Sequence, residues 1–187
     1  MKETAKEKKD SLFSVQNMTL IAVMTALMCV LGPISIPIGP VPITPVLVVM
    51  FLTVYILGTK RAAVSTLLYL LIGLVGVPVF SSFSAGPAKL FGTTGGYLIG
   101  YVPMVLLCGF LLGKCAGKII LEFASMVLSL ALLYVFGTVW LMLLANMTFL
   151  AALAVGVLPF IVIDLLKIAA ALLLGKALKA RLPMLRG

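Results

Sequence analysis

Six apolar segments, separated by short links rich in charge, proline or glycine, dominate this sequence. A helix needs about 20 residues to cross the hydrocarbon layer of a bilayer. Backbone groups in lipid must form hydrogen bonds within their own segment, so each apolar segment is predicted to be a helix. The segments lie at 17–33, 45–57, 62–77, 95–113, 119–145 and 156–178.

The individual lengths refine this prediction. The second and third segments are short for a span and are separated only by GTKR, residues 58–61, which predicts a tight hairpin of tilted or partly buried helices. The fifth is longer than a span needs and should tilt. The first ends in LGPISIPIGP and not in a small-residue cleavage site, so we expect a retained helix and not a signal peptide.

Basic residues follow the same division of the chain. With six spans and a cytoplasmic N-terminus, twelve of the fourteen Lys and Arg residues fall on the cytoplasmic side, Lys89 is outside and Lys167 is in the membrane. This asymmetry predicts six transmembrane helices with both termini inside. The expected organisation is a cytoplasmic segment at 1–16, one compact six-helix domain at 17–180 with an outward-facing ligand cavity, and a cytoplasmic tail at 181–187.

Composition narrows the functional class. Hydrophobic residues make up 63% of the chain, charged residues 10%, and the mean hydropathy is +1.30, so a lipid bilayer is the expected solvent. The net charge of +9 comes from residues at the ends of apolar segments and forms no single basic face, which argues against nucleic acid. The absence of histidine and the three unpaired-looking cysteines predict no metal site and no cofactor.

Two outer connections stand out. SIPIGPVPITP, residues 35–45, contains four prolines and no charge. PVFSSFSAGPAKLFGTTGG, residues 78–96, places Phe80, Phe83 and Phe91 among small residues, and these aromatic rings need a surface to cover. The loop is expected either to pack on the helix ends or to form a lid over a cavity that opens outward, and composition alone does not choose between the two.

Asp164 and Lys167 are the strongest candidate site, because they lie within the last apolar segment. If the helix begins at Pro159, they lie roughly 7 and 12 Å below its start, and their i, i+3 spacing puts them on one face. Each charge costs on the order of 2.5–3.5 kcal/mol in a bilayer. A structural salt bridge is one interpretation. The preferred one is a ligand site, since an acceptor beside a donor suits a urea or an amide, and Lys167 also suits a carboxylate.

Small residues mark two further features. Gly95 and Gly96 could bring backbone N–H groups near a ligand at a helix start, although Gly96 and Gly100 also form a GxxxG packing motif. Ala22 and Ala26 give the first segment a flat face for close packing, against another helix or against a partner subunit. Glu122 lies four residues after Lys118 and is expected to pair with it near the inner surface.

Four stretches together resemble the BioY family, the biotin-specific S components of energy-coupling-factor transporters. They are PVPITP, LLYLLIGLVGVPVFSS, FGTTGGYLIGY and LPFIVIDLLKIAAA, and the resemblance spans about residues 20–178. It implies a non-catalytic, six-helix protein of a prokaryotic plasma membrane that captures biotin from outside. It also implies a transmembrane coupling protein and two cytoplasmic ATPases as partners.

The resemblance also implies roles for particular residues. Asp164 and Lys167 match the family's motif in the last helix and would contact the ligand, and Ala22 and Ala26 match the motif that docks on the coupling protein. Lys89 is a candidate partner for the carboxylate of biotin, or a solvated loop lysine. The glycine pair and two aromatic residues complete the expected substrate-binding set: Gly95, Gly96, Tyr97 and Phe80.

Three other functions are weighed against this one. A stand-alone secondary transporter could use Asp164 to carry protons, and an S component could serve another vitamin. An intramembrane enzyme is poorly supported, because the chain has no histidine and no second buried acid is expected beside Asp164.

Overall fold

The computed structural model describes residues 14–38, 41–115 and 117–181. Most of the predicted N-terminal segment, including Lys2, Lys6, Lys8 and Lys9, and most of the C-terminal tail, including Arg186, lie outside the described residues. The helices are α1 (Val15–Leu31), α2 (Val46–Leu57), α3 (Thr59–Leu74), α4 (Pro87–Leu90), α5 (Gly95–Cys115), α6 (Ile119–Ala145), α7 (Phe149–Gly156) and α8 (Ile161–Arg181). The strands are β1 (Ile36–Ile38) and β2 (Val41–Ile43).

The described part of the chain is predominantly helical, as predicted. Helices α5 and α6 are each long and apolar enough to cross a membrane. Helices α7 and α8 qualify together as a pair bent by 49°, and α1 and α2 are shorter apolar helices. Length and composition therefore identify two spans, or three if the bent pair is one span, which is fewer than the six predicted.

Two helix boundaries show how local sequence sets the architecture. Only Gly58, with φ of 76°, separates α2 from α3, because Thr59 to Arg61 already form the first turn of α3. The predicted helical hairpin is therefore confirmed, with a shorter link than expected. Asn146 ends α6 in the left-handed conformation, which asparagine tolerates better than most residues.

The last apolar segment begins differently from the prediction. Pro159 lies in a turn, and α8 starts two residues later at Ile161. Before this turn, Phe149–Gly156 forms a separate short helix whose N-cap, Thr148, accepts a hydrogen bond from the backbone of Ala151. The turn starts α8 later than predicted, so Asp164 lies only about 4–5 Å along the helix axis from its start.

The proline-rich connection forms a hairpin that the sequence did not reveal. Strands β1 and β2 pair antiparallel with Ile36 opposite Ile43 and Pro37 opposite Pro42. Proline has no N–H, so the two facing prolines must occupy a non-hydrogen-bonded pair. The side chains of Val41 and Ile43 are buried, and they attach the hairpin to the main core.

Close helix contacts depend on small and polar residues. Helix α5 packs most extensively on α6, and a Cβ atom on Gly96 would lie 2.2 Å from Trp140, so the packing role of this glycine is confirmed. Between α1 and α3, the hydroxyl groups of Thr25 and Ser65 form a buried hydrogen bond of 2.9 Å. Such bonds hold helices together where the surrounding lipid provides no hydrophobic drive.

Candidate functional site

Asp164 and Lys167 form an ion pair in the first two turns of α8. The Lys167 ammonium lies 2.8 Å from Oδ1 of Asp164, which confirms the predicted contact. Asp164 is 6% exposed, and its place in the first helical turn puts its negative charge near the positive end of the helix dipole. Local sequence therefore places this acid at the end of the helix that interacts favourably with negative charge.

Tyr134 on α6 completes this charged group and was not among the predicted site residues. Its hydroxyl group donates a 2.7 Å hydrogen bond to Oδ2 of Asp164. Both carboxylate oxygens thus have a partner, one from the same helix and one from a facing helix. Short distances of this kind are typical of hydrogen bonds to charged groups.

The ion pair forms part of the wall of a cleft between β2, α5, α6 and α8. Two neighbouring cavities, of about 40 and 60 Å³, share five wall residues, and we call them together the tyrosine cleft. One cavity reaches Lys89 and the other reaches Asp164 and Lys167. The five shared wall residues are Val41, Pro42, Thr44, Tyr97 and Tyr101.

Tyr97 is held rigidly where the two cavities meet. Its hydroxyl group donates a 2.9 Å hydrogen bond to the carbonyl oxygen of Gly156 on α7. A Cβ atom on Gly137 would lie 2.1 Å from the Tyr97 ring, and one on Gly156 would lie 2.3 Å from its hydroxyl oxygen. The ring therefore fits a slot that only glycine provides on both sides.

Three predicted contact residues lie outside the walls of the tyrosine cleft. Phe80 is fully buried, with its ring edge-on to Tyr69 and its tip above Gly73. Gly95 lies against the Leu90 carbonyl, and Gly96 packs on Trp140. Phe80 and Gly96 have packing roles in this structure, and direct contact of any of the three with a ligand stays a prediction.

The long outer loop both packs on the helices and borders the cleft. Phe80 anchors it in the core, whereas Ser81 and Lys89 line the cavity. Lys89 belongs to the short helix α4 and is half-buried, and this burial lowers the pKa of its ammonium group. It is not a fully solvated loop lysine, the simpler of the two interpretations left open above.

Glu122 differs from its prediction in both burial and partner. It is 4% exposed, so the described chain does hold a second buried acid. Its carboxylate accepts hydrogen bonds from the Gly117 backbone and from Tyr55, and it pairs with Lys176 at 3.4 Å. The predicted pairing with Lys118 is wrong, because that residue is the extended and exposed N-cap of α6 and the carboxylate is taken by partners outside this helix.

The cavity beside Glu122 is separate from the tyrosine cleft. It measures about 290 Å³, and its wall includes Tyr55, Arg61, Glu122 and Lys179. Asp164 and Lys176 are twelve residues apart on α8, or about 18 Å along the axis. The two buried acids therefore do not share one site. Acid–base catalysis is still poorly supported, because the two acids are far apart and not because a second buried acid is missing.

Ala22 and Ala26 are exposed on one face of α1. The same face carries the exposed side chains of Val23, Leu27 and Val30. The opposite face is buried and includes Thr25, which bonds to Ser65 of α3. The small residues therefore do not pack inside the described protein, which leaves contact with lipid or with a partner.

Several wall residues went unrecognised in the sequence. Tyr134 lies in a long apolar segment, where one tyrosine is unremarkable. A signal was present: Tyr134 lies four residues before the polar and buried Thr138, so the two side chains share one face of α6. Pro42 and Thr44 gave no such signal, because the sequence did not predict that the proline-rich connection folds back as a hairpin.

Comparison with known proteins supports the resemblance to the BioY family along nearly the whole chain. The model of the BioY family matches residues 3–184. A Lactococcus lactis protein named biotin transporter BioY2 is 35% identical over 87% of this chain and 89% of its own length. A Thermotoga maritima protein named biotin transporter BioY is 38% identical over 84% and 92%, respectively.

A solved structure has a similar fold. The crystal structure of the S-component for biotin from an ECF-type ABC transporter superimposes with a TM-score of 0.82. Its sequence is 29% identical, and the match covers 87% of this chain and 90% of that one. On the family match, the relatives and this fold, the chain belongs to the BioY family.

Proposed function

We propose that this protein is the S component of an energy-coupling-factor transporter and captures biotin from outside the cell for ATP-driven uptake. The names of the relatives support this assignment. The observation that carries the site is the buried Asp164–Lys167 pair in the wall of the tyrosine cleft. The protein itself is non-catalytic in this proposal, and two cytoplasmic ATPases hydrolyse the ATP.

The chemistry of the pair suits the bicyclic head of biotin. An N–H group of the urea can donate to the Asp164 carboxylate while the urea carbonyl accepts from Lys167. The pair has no net charge, so it favours a neutral polar head over an ion. Lys89 at the other cavity would then meet the carboxylate of biotin, and the faces of Tyr97 and Tyr101 would cover the apolar ring carbons.

Binding must widen the tyrosine cleft. Pockets for small ligands usually measure roughly 300–1,000 Å³, whereas the two cavities measure about 40 and 60 Å³. The hairpin and the loop at 78–96 cover this region and have few backbone bonds to the helices, so they are the parts that move in our proposal. The loop would then act as a lid with Phe80 as its fixed end.

The proposed membrane topology has six spans and both termini inside. The spans are α1, α2, α3, α5, α6, and α7 with α8, and the domain limits are those predicted above: 1–16, 17–180 and 181–187. The distribution of charge supports this orientation. Lys60 and Arg61 begin α3, whereas Lys89 lies beside the outer cleft.

The exposed small-residue face of α1 is the proposed contact with the transmembrane coupling protein. Ala22 and Ala26 are exposed on this face, and their small side chains would let a partner helix approach closely. The Arg61 guanidinium donates a hydrogen bond to the side-chain oxygen of Asn17, and a hydrogen bond joins the hydroxyl groups of Thr25 and Ser65, so the opposite face of α1 is held against α3. These bonds therefore orient the exposed face of α1 away from α3 before a partner binds.

Substitution of the charged pair tests the binding site. Asp164→Asn and Lys167→Ala should each weaken biotin binding about 10–100-fold, because each loses a hydrogen bond to a charged group worth about 1.5–3 kcal/mol. Glu122→Gln is the matched control, since it neutralises the other buried acid outside the cleft. Calorimetry in detergent measures the affinities, and unchanged affinity in both test variants would refute the site.

Reconstitution separates this function from proton-coupled secondary transport. Liposomes that contain only this protein and a pH gradient should take up no biotin. Liposomes that also contain the coupling protein and both ATPases should take it up when ATP is supplied. Gradient-driven uptake by the protein alone would favour the secondary transporter, and a panel of other vitamins in a thermal-shift assay would test the substrate.

A further inference from the structure

Tyr134 fixes the direction in which the Asp164 carboxylate faces. A carboxylate on a short side chain can rotate about its last bond, and Lys167, from the same helix, restrains only Oδ1. Tyr134 restrains Oδ2 from α6, a helix that does not carry the ion pair. With both oxygens held, the plane of the carboxylate is set by two helices together.

In this hydrogen bond the phenol group of Tyr134 donates and the carboxylate of Asp164 accepts. The Lys167 ammonium has three protons and uses one of them on Oδ1, which leaves donors for a ligand. Tyr134 therefore satisfies one oxygen of the acid without competing for the lysine.

Both partners lie in the cavity wall. Tyr134, Asp164 and Lys167 line the same cavity of about 60 Å³. A ligand that enters it meets a carboxylate whose orientation is already fixed. Preorganised groups bind more tightly because less freedom is lost when the complex forms.

We propose that Tyr134 is a positioning residue for substrate capture, holding the Asp164 carboxylate in the orientation that accepts the N–H groups of a neutral cyclic urea. This inference rests on the proposed function and adds a residue to its site. Tyr134 acts through Asp164 and does not need to contact the ligand. Loss of its hydroxyl group should therefore matter only while the acid is present.

The test is Tyr134→Phe, which removes the hydroxyl group and keeps the ring. Biotin affinity should fall about tenfold, the effect of one charge-assisted hydrogen bond. Tyr55→Phe is the matched control, because it removes a tyrosine hydroxyl that also bonds to a carboxylate, that of Glu122, outside the cleft. Its biotin affinity should be unchanged.

A double-mutant cycle separates positioning from general packing. In the Asp164→Ala background, which leaves no acceptor for the phenol, Tyr134→Phe should change biotin affinity by less than about twofold, because the group it positions is gone. Thermal unfolding of each variant is measured in parallel. An equal loss of affinity with and without Asp164 would assign Tyr134 a packing role and overturn the proposal.

The remaining outcomes are also distinct. If Tyr134→Phe binds biotin normally while Asp164→Asn does not, the positioning role is wrong and the proposed function stands. If neither variant alters binding, the assigned site itself fails. If Tyr134→Phe does not fold, Tyr134→Met removes the same donor with a more adaptable side chain, and the same comparison applies.

Discussion

Gly137→Ala should weaken biotin binding although Gly137 is not itself in the cleft wall. The added methyl group would lie 2.1 Å from Cε1 of Tyr97, whereas ordinary contact begins near 3.4 Å. The ring would therefore have to retreat by about 1.3 Å, the difference between these two distances. Tyr97 lines both cavities, so space for that movement lies in the cleft.

The size of the effect follows from overpacking. An extra methyl group in a well-packed site costs about 1–3 kcal/mol. The Tyr97 hydrogen bond to Gly156 would be strained by the same movement. If the displaced ring occupies space that the ligand needs, most of this cost appears on binding, and affinity should fall about 5–150-fold.

Calorimetry with purified protein in detergent measures this effect. The matched control is Gly113→Ala on α5, where a Cβ atom would meet no atom within 4 Å. The control should bind biotin normally and unfold at an equal or slightly higher temperature, because alanine favours a helix over glycine. Wild-type affinity in Gly137→Ala would refute the idea that the glycine slot holds the ring in place.

Three other predictions address separate parts of the molecule. Lys89→Ala should weaken binding of biotin but not of its neutral amide in a competition assay. Burial lowers the pKa of Lys89, so the ammonium group should lose its proton, and biotin affinity should fall, as pH rises through this lowered pKa. Lys89→Arg should abolish this pH dependence of affinity. Glu122→Ala should lower stability by about 1–3 kcal/mol in thermal unfolding, since Tyr55 and the Gly117 backbone lose their acceptor, whereas Lys176→Ala keeps both of these hydrogen bonds and should cost less. Ala26→Trp should prevent co-purification with the coupling protein without changing biotin affinity. Ala131→Trp, at an exposed alanine of α6, is the control and should change neither co-purification nor biotin affinity.

The sequence predicted best where its signals were local. The limits of α6 agree with the predicted segment because Lys118 and Asn146 bound a continuous apolar run. The Asp164–Lys167 pair was recognised because charge is expensive in lipid and because helical spacing alone brings the two side chains together. Neither inference needed any knowledge of what lies on neighbouring helices.

The remainder depended on contacts between distant residues. Tyr134 and Asp164 are thirty residues apart, and nothing in the sequence aligns their helices. Glu122 was misassigned because its partner, Lys176, comes from another helix. The packing role of Phe80 was missed because an aromatic residue in a loop gives no sign that Gly73 leaves room for its ring in the core.

The facing prolines of the hairpin have a consequence for association with other chains. In a non-hydrogen-bonded pair the backbone N–H positions point away from the partner strand, towards the free edges. At Pro37 and Pro42 those positions carry no hydrogen, so each edge lacks a donor at its centre. Each edge therefore offers a stray extended peptide or a second copy only a carbonyl at this position, which disfavours self-association of the ribbon by strand addition.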